Sequence, residues 1–212
     1  LREINQTSSK IITVEDPIEY SLPGVVQTQV GQNGEYSFGQ ALRAIVRQDP
    51  DVILVGEIRD EETAEVAINA ALTGHLVFTT LHTNDAAASI VRLGELGIKG
   101  SLIASAVNIF IGQRLVRILC KKCRLAYEPA DTTKEALQKI LLTIPKKAGV
   151  DVPESIPLLY KPVGCAECHF SGYKGREGIF EIFTVSEGIG KIINEFATEQ
   201  EIREAAKREG MM

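Results

Sequence analysis

Two short apolar segments flank an amphipathic one in the middle of the chain, and this pattern predicts a strand, a helix and a second strand. The first segment, Val52–Val55, has four consecutive apolar residues, which is typical of a strand buried on both faces of a parallel sheet. The segment that follows places its apolar residues at helical spacing, and Gly74 stands where that helix would end. The second apolar segment is Leu76–Phe78, and the earlier β-rich segment Lys10–Glu15 predicts a further strand. The pattern therefore predicts an α/β fold built on a parallel sheet.

The other periodic segments predict more helices around this sheet. Ser37 and Gln40 fit a capping box at the start of one helix, and the apolar segment from Ser101 to Leu119 predicts a long one. Residues 21–36 are interrupted by glycines and a proline, and they predict a loop with a short hairpin. Further expected elements are the end of a helix over residues 1–9, helices beginning at Asp60 and at Asn84 or Asp85, a helix over Thr133–Leu142, a turn over Gly172–Arg176, a strand over Gly178–Phe183, and C-terminal helices beginning at Ser186 and Thr198.

Charged side chains follow two of the predicted strands. Glu15, Asp16 and Glu19 come after the first strand, and Glu57 and Arg59 come after the central one. Open α/β folds bind their ligands beyond the carboxyl ends of parallel strands, and in an NTPase an acid there holds Mg²⁺ or polarises the attacking water. Structural alternatives stay open, because an Asp-Pro pair also forms a simple turn and Glu57 could cap a helix or pair with Arg59.

Two histidines flank the predicted strand Leu76–Phe78. The separation between His75 and His82 is odd, so in a regular strand they point to opposite faces and do not form an obvious metal pair. His82 lies among threonines and an asparagine beyond the strand, where either a catalytic or a hydrogen-bonded structural role is open. Arg43 and Arg47 share one side of a predicted helix, either as a solvated basic face or as contacts to a phosphate.

Composition narrows the classes of function. The chain has 212 residues, 44% of them hydrophobic, which suits one domain with a small appendage. A net charge of -5 disfavours sequence-independent binding to duplex nucleic acid. No apolar run approaches the length of a membrane span.

The four cysteines form two Cys-x2-Cys pairs, Cys120 with Cys123 and Cys165 with Cys168. Two such pairs can supply four thiolates to a tetrahedral Zn²⁺ ion, although the 41 residues between them exceed the usual spacing. Disulfides are the main alternative, and tight pairs in a chain expected to be cytoplasmic disfavour them. A site of three cysteines with His169 is a further alternative.

Four regions together resemble the motifs of the ATPases that power type II secretion and type IV pilus assembly. IITVEDPIEY (11–20) resembles the Asp box of that family, and LRAIVRQDPDVILVGEIRD (42–60) resembles its atypical Walker B region. TGHLVFTTLHTNDA (73–86) resembles the His box. GQRLVRILCKKC (112–123) with GCAECHFSGYKGREGIFEI (164–182) resembles the tetracysteine zinc element of the assembly branch, which the retraction motors generally lack.

The resemblance implies the fold and the division into domains. The implied fold is a partial RecA-like P-loop NTPase core over residues 1–118, with Asp box, Walker B region and His box. A zinc-binding subdomain is expected over residues 119–177. Residues 178–212 are expected to supply a return strand and a small C-terminal helical cap.

The resemblance also implies function, cofactors and partners. The expected function is that of part of a homo-hexameric motor ATPase that couples ATP hydrolysis to pilus or pseudopilus assembly or to type II secretion. ATP, Mg²⁺ and Zn²⁺ are the implied cofactors. The expected partners are inner-membrane platform proteins and cytoplasmic adaptors, with no nucleic acid and no membrane span of its own. The protein is thus expected in the cytoplasm, held at the inner membrane through its partners.

Specific residues take roles through this resemblance. Glu15 would orient or deprotonate the attacking water, Glu57 would support Mg²⁺ or share that task, and His82 would contact the γ-phosphate. The residues implied near the nucleotide or Mg²⁺ are Asp16, Glu19, Arg59 and His75, and those implied as zinc ligands are Cys120, Cys123, Cys165 and Cys168.

One element of the family pattern does not occur in the sequence. No Gly-x4-Gly-Lys-Ser/Thr phosphate loop is present, and the resemblance places that loop upstream of the Asp box. The chain is therefore expected to be a C-terminal fragment that is inactive alone, because it lacks the amides and lysine that hold the phosphates. The alternatives are a zinc-stabilised interaction module without catalysis, or another RecA-like translocase.

Overall fold

The computed structural model describes residues 1–31, 36–144, 151–195 and 197–211. These residues belong to two compact units. The first unit combines Leu1–Phe110 with Thr184–Arg203, and the second combines Ile111–Phe183 with Glu204–Met212.

A four-stranded parallel sheet forms the centre of the first unit. Its strands are β1 (Ile11–Glu15), β2 (Val26–Gln29), β3 (Val52–Val55) and β4 (Leu76–Thr79), in the order β2-β1-β3-β4. All three neighbouring pairs are parallel. The two central strands are rich in β-branched residues and are buried, as expected where both faces of a sheet are covered. The predicted α/β fold with a parallel sheet is confirmed.

Four helices connect and follow these strands. They are α1 (Phe38–Val46), α2 (Glu61–Leu72), α3 (Ala86–Glu95) and α4 (Gly100–Ala106). The predicted caps are confirmed: Ser37 and Gln40 form a capping box, and Asp60 and Asp85 accept hydrogen bonds from Thr63 and Ala88. Each cap satisfies an amide that the first turn of a helix leaves without an intrahelical partner.

Two sequence-based predictions in this region were wrong. The described part of the segment 21–36 forms no hairpin, because its strand β2 pairs with β1 in parallel. The long helix expected over Ser101–Leu119 ends with α4, and Val107 is already extended. A strand, β5 (Ile109–Leu119), follows. Its β-branched residues lose side-chain freedom in a helix, and its partner strand lies more than fifty residues away along the chain, where periodicity gives no signal.

The second unit contains two small sheets and a helix. β6 (Leu125–Tyr127) pairs antiparallel with β7 (Leu159–Lys161), and α5 (Asp131–Leu141) lies between them in sequence. β5 pairs with β8 (Tyr173–Thr184). The turn expected over Gly172–Arg176 is therefore wrong beyond Gly172, because the strand has already begun.

Two helices close the chain. α6 (Glu187–Asn194) packs on α4 so closely that a Cβ atom on Gly100 would lie 2.4 Å from the carbonyl oxygen of Ile193. α7 (Glu199–Glu209) begins with the predicted reciprocal cap, in which Glu201 accepts from the Thr198 amide at 2.8 Å. At the other end of the chain, Arg2–Ile4 form one 3-10 turn instead of the expected end of an α-helix. Among the described residues, no helix has both the length and the apolar character needed to cross a membrane.

Candidate active site and metal centre

Glu57 lies at the centre of a cluster of charged side chains beyond β3. Its side chain is only 11% exposed, although two neighbouring groups reach it. Arg59 forms an ion pair with Oε1, and Nε2 of His82 lies 2.8 Å from Oε2. The hydrogen bond from Arg59 is the main cause that lowers the pKa of Glu57; burial opposes this effect, and His82 adds to it. Glu57 is therefore a carboxylate at neutral pH, with each of its oxygens facing a different partner.

His82 reaches Glu57 because the segments that follow β3 and β4 remain linked beyond the sheet. The Thr80 hydroxyl donates to the Gly56 carbonyl oxygen at 2.6 Å, and the Ile58 amide donates to the Thr80 carbonyl oxygen at 3.0 Å. The side chain of His82 is 82% exposed, so the ring contacts Glu57 on one side and remains open to solvent. Thr80 thus links the backbone that carries His82 to the segment that carries Glu57.

Glu15 occupies the neighbouring position at the same edge of the sheet. β1 and β3 are adjacent parallel strands, with Val14 opposite Val55, so Glu15 and Gly56 follow side by side. A Cβ atom on Gly56 would lie 3.3 Å from Cα of Glu15 and 3.1 Å from the Val14 carbonyl oxygen. Glycine at position 56 therefore permits the close approach of the two segments that carry the acids.

The carboxylate of Glu15 is held by two side chains that sequence reasoning missed. Its Oε1 accepts a hydrogen bond from the Thr13 hydroxyl at 2.6 Å and another from Nε2 of Gln27 at 3.1 Å. Glu15, Glu19 and Gln27 line an open cleft of about 510 Å³. A threonine two residues before an acid in an otherwise apolar strand was the available signal for the first contact, since alternate residues share a face.

The other predicted site residues divide into two groups. Asp16 acts on Arg59: the pKa of Arg59 is raised, first by its hydrogen bond with Glu57 and further by the charge of Asp16. His75 lies at the amino end of β4, where its Nδ1 is 2.9 Å from the Ala70 carbonyl oxygen. The structure thus brings Asp16 and Glu19 to the carboxyl ends of the strands, near Glu15 and Glu57. It places His75 at the amino ends of the strands.

The sequence left open the roles of the two arginines in the helix before β3. Arg43 forms an ion pair with Glu62 at 3.0 Å, and its side chain is 57% exposed. Arg43 therefore has an acidic partner within the chain, and its position does not require a bound phosphate. Arg47 is the C-cap residue of α1 and is exposed.

The pKa of Glu57 predicts how stability depends on pH. A carboxyl group whose pKa is lower in the folded protein than in the unfolded chain, where it is near 4.5, stabilises the folded state. This stabilisation is fully present at pH values above the unfolded pKa. The contribution is lost as the pH falls through the lower folded pKa. In urea unfolding from neutral pH to about pH 3, the difference in unfolding free energy between the native protein and Glu57→Gln should shrink as the pH falls. A difference in unfolding free energy that stays constant over this pH range would contradict a lowered pKa of Glu57.

A separate group of four sulfur atoms lies in the second unit. Cys120, Cys123, Cys165 and Cys168 place their Sγ atoms within 4.8 Å of one another, and among the described residues His169 is not part of this group. The Sγ atoms are 4.0 Å apart for Cys120 and Cys165, and 3.8 Å apart both for Cys123 and Cys168 and for Cys165 and Cys168. A disulfide bond is about 2.05 Å long, so these are free thiols. Four sulfurs bonded tetrahedrally at about 2.3 Å to Zn²⁺ are about 3.8 Å apart, and the cluster therefore fits that ion.

The backbone around the cysteines points amides at the sulfur atoms. Gly164 donates to Cys123 at 3.3 Å, and Cys165 and Gly172 donate to Cys168 at 3.2 and 3.3 Å. Burial raises the pKa of Cys168, but the two amides together with the thiols of Cys123 and Cys165 lower that pKa to about 6. Gly164 has φ +114°, and a Cβ atom there would lie 2.7 Å from the Phe170 carbonyl oxygen, so glycine is required at this turn.

Fold and site together define the class of protein. The fold of the pilus retraction motor PilT with bound ADP aligns with the whole of this chain and 52% of that chain, with a TM-score of 0.59 and 28% identity. The Legionella pneumophila ATPase DotB has the same TM-score at 23% identity, which supports the fold alone. The first unit is thus a RecA-like α/β core, with acids and a histidine at the carboxyl edge of its sheet.

Sequence comparison then gives the family. The chain belongs to the Type II/IV secretion system protein family, which it matches over residues 1–212. It is 46% identical over 210 residues to type II secretion system protein E of Pseudomonas aeruginosa, covering 99% of this chain and 39% of that protein. It is 44% identical over 211 residues to the type IV pilus assembly ATPase PilB of Thermus thermophilus, covering 100% of this chain and 23% of that protein. The chain therefore spans less than half the length of these relatives.

Proposed function

We propose that this chain is part of a motor ATPase that couples ATP hydrolysis to pilus or pseudopilus assembly or to type II secretion. The observation that carries the proposal is the pair of neighbouring acids, with Glu57 held by Arg59 and His82 beside the hydrogen-bonded Glu15. Relatives named as the type II secretion ATPase E of Vibrio cholerae, 45% identical over 200 residues, and PilB support the same activity.

Glu57 has the environment of a group that remains charged throughout a reaction. Arg59 keeps it ionised, and its side chain is largely shielded from water. A carboxylate oxygen is a preferred ligand of Mg²⁺ or of its water shell. Mg²⁺ bound with the nucleotide would neutralise charge on the phosphates. His82, open to solvent beside Glu57, is suited to contact a phosphate from the same side.

Glu15 has the environment of a general base. It is half-buried, it lines the cleft, and its Oε1 already accepts two hydrogen bonds. A carboxylate in this position can accept a proton from a water molecule that attacks the terminal phosphate, and it returns that proton to solvent after ADP and phosphate form. Asp16 and Glu19 add negative charge beside these acids, which favours a bound cation.

The second unit has the properties of a structural zinc site. Four thiol ligands fill the tetrahedral positions of Zn²⁺, which leaves no open position for a substrate. The amides that donate to sulfur favour the thiolate form that binds metal. The role of zinc here is therefore to hold the two cysteine segments together.

The proposed setting is the one expected from the resemblance to the secretion and pilus ATPases. A homo-hexamer in the cytoplasm, held at the inner membrane by platform and adaptor proteins, is the arrangement that the resemblance implies. Size-exclusion chromatography with light scattering on the whole ATPase, with and without ATP and Mg²⁺, tests the assembly. Steady-state release of phosphate from ATP, measured on the same samples, tests the activity, and no release above background would contradict the proposed function.

The two histidines at the opposite ends of β4 provide a comparison. His82→Ala should lower ATP turnover by about 10-fold or more, because it removes a partner of Glu57 on the side open to ligand. His75→Ala should have a much smaller effect, because His75 contacts the end of α2 at the opposite edge of the sheet. Turnover of both variants is measured at saturating ATP. Equal losses would show that the role implied for His75 near the nucleotide is correct.

A further inference from the structure

Three polar side chains share one face of the sheet where β1 and β2 run side by side. Thr13 and Glu15 are two residues apart in β1, so their side chains point the same way. The parallel register places Gln27 of β2 opposite Thr13. Thr13 is fully buried, and Glu15 and Gln27 are half-buried. Their mutual hydrogen bonds are therefore partly buried and geometrically restricted.

The side-chain amide of Gln27 can adopt only one orientation in this network. Its Oε1 accepts from the Leu22 amide at 2.8 Å, and a backbone amide can only donate. Its Nε2 donates to the Tyr20 carbonyl oxygen at 2.9 Å and to Glu15 at 3.1 Å, and both of these can only accept when Glu15 is ionised. The loop over residues 20–22 thus fixes the orientation of the Gln27 side-chain amide, and that amide in turn holds the carboxylate of Glu15.

We propose that Gln27 is a positioning residue for Glu15, holding its Oε1 so that Oε2 is presented to the attacking water. In the part of the chain that the structure describes, the hydrogen bonds to the Glu15 carboxylate both fall on Oε1. With Oε1 occupied by Thr13 and Gln27, rotation of the carboxylate would break two hydrogen bonds. The inference rests on the proposed function, in which Glu15 is the base.

Gln27→Met tests the inference, since methionine keeps the length of the side chain and removes the donor. We expect kcat of the whole ATPase to fall by about 10- to 100-fold, the loss typical of a misplaced catalytic group. KM for ATP should stay within about twofold, because the lost interaction serves the transition state and not nucleotide binding. Thermal unfolding is measured in parallel. If Gln27→Met does not fold, Gln27→Leu replaces it, since leucine also lacks the donor and brings no second carboxyl group beside Glu15.

Gln29→Met is the matched control. Gln29 lies in the same strand and is opposite Glu15 in the backbone register, and its side chain is exposed. Its kcat should stay within about twofold of the native value, since exposed substitutions away from such contacts have small effects. A loss in Gln29→Met as large as that in Gln27→Met would overturn the inference, because it would show a general effect of this strand.

A double variant separates positioning from a purely structural role. In an enzyme that already carries Glu15→Gln, the further change Gln27→Met should lower the single-turnover rate by less than about twofold, because both act through one carboxylate. An additional 10-fold loss would overturn the positioning role. Native turnover in the single variant Glu15→Gln would instead overturn the proposed function of Glu15. If Glu15→Gln loses turnover while Gln27→Met keeps the native kcat, only the inference about Gln27 is overturned.

Discussion

Replacing Glu57 by glutamine is expected to reduce ATP turnover by the whole ATPase to a small residual rate while nucleotide binding stays largely intact. Glutamine keeps the shape of the side chain but carries no charge. Arg59 and His82 would then face a neutral amide, and the electrostatic support for Mg²⁺ would be lost. Removing one preorganised electrostatic group from an active site costs about 10²- to 10³-fold in rate, so the loss should be at least about 100-fold.

Glu15→Gln should give the same result for a different reason. The amide can still accept from Thr13 and Gln27, so the local structure should persist. It cannot accept a proton from water at neutral pH. The two variants therefore agree in rate and differ in what they remove, a general base at position 15 and a fixed negative charge at position 57.

Glu65→Gln is the control for both variants. Glu65 lies on the exposed side of α2, so the change removes one negative charge without touching either acid. Turnover is measured by phosphate release, and nucleotide affinity by calorimetry with a slowly hydrolysed ATP analogue. Native turnover in both Glu57→Gln and Glu15→Gln would contradict the proposed mechanism. Loss of affinity equal to the loss of turnover would show that these acids serve binding.

Local signals along the sequence predicted the parts of the fold that depend on neighbouring residues. Ser37, Asp60 and Asp85 each cap the helix that they were expected to begin, because a cap needs only the amides of the next turn. The buried runs of β1 and β3 were visible because a central parallel strand is apolar on both faces. That both strands end in acids at one edge follows from parallel topology, and the pairing of Val14 with Val55 confirms it.

The errors arose where the partner of a segment is distant in sequence. Ile109–Leu119 is apolar enough for either a helix or a strand, and only pairing with Tyr173–Thr184 decides between them. Among the described strands β2 pairs with β1 alone, and neither its direction nor the place of Gln27 beside Glu15 could be read from a polar, glycine-flanked segment. The candidate site was thus predictable at its charged residues and unpredictable at the neutral side chains that hold them.

The position of His75 shows the same limit for a single residue. Both histidines flank one strand, and His82 lies near the acids only if that strand runs parallel to the strand that precedes Glu57. The structure supplies that direction, because β4 runs parallel to β3 and ends beside Glu57. His82 therefore lies beside Glu57, whereas the ring of His75 contacts the carbonyl oxygen of Ala70.

Removing one cysteine of the cluster is expected to release the metal and destabilise the second unit. The whole ATPase should contain about one Zn²⁺ per chain by elemental analysis. In Cys168→Ser, the zinc content should fall well below half, because a serine hydroxyl is a poor replacement for a thiolate and three ligands bind weakly. Zinc bound at a structural site is worth about 10–16 kcal/mol of apparent folding free energy in small peptides, so its loss should exceed the effect of any surface substitution. The expected measurement is a lower melting temperature together with new reactivity of the remaining thiols.

Lys121→Ala separates the role of the cluster from that of the surrounding chain. Lys121 is exposed between Cys120 and Cys123, and its replacement leaves all four sulfurs in place. This variant should keep about one Zn²⁺ per chain and a native melting temperature. A chelator should convert the native protein to the behaviour of Cys168→Ser and should leave Cys168→Ser itself unchanged, because the same ion is removed in both cases. A native protein free of metal, with four thiols that react at once, would contradict a zinc site, since four sulfurs 3.8–4.0 Å apart would then be held together by backbone amides alone.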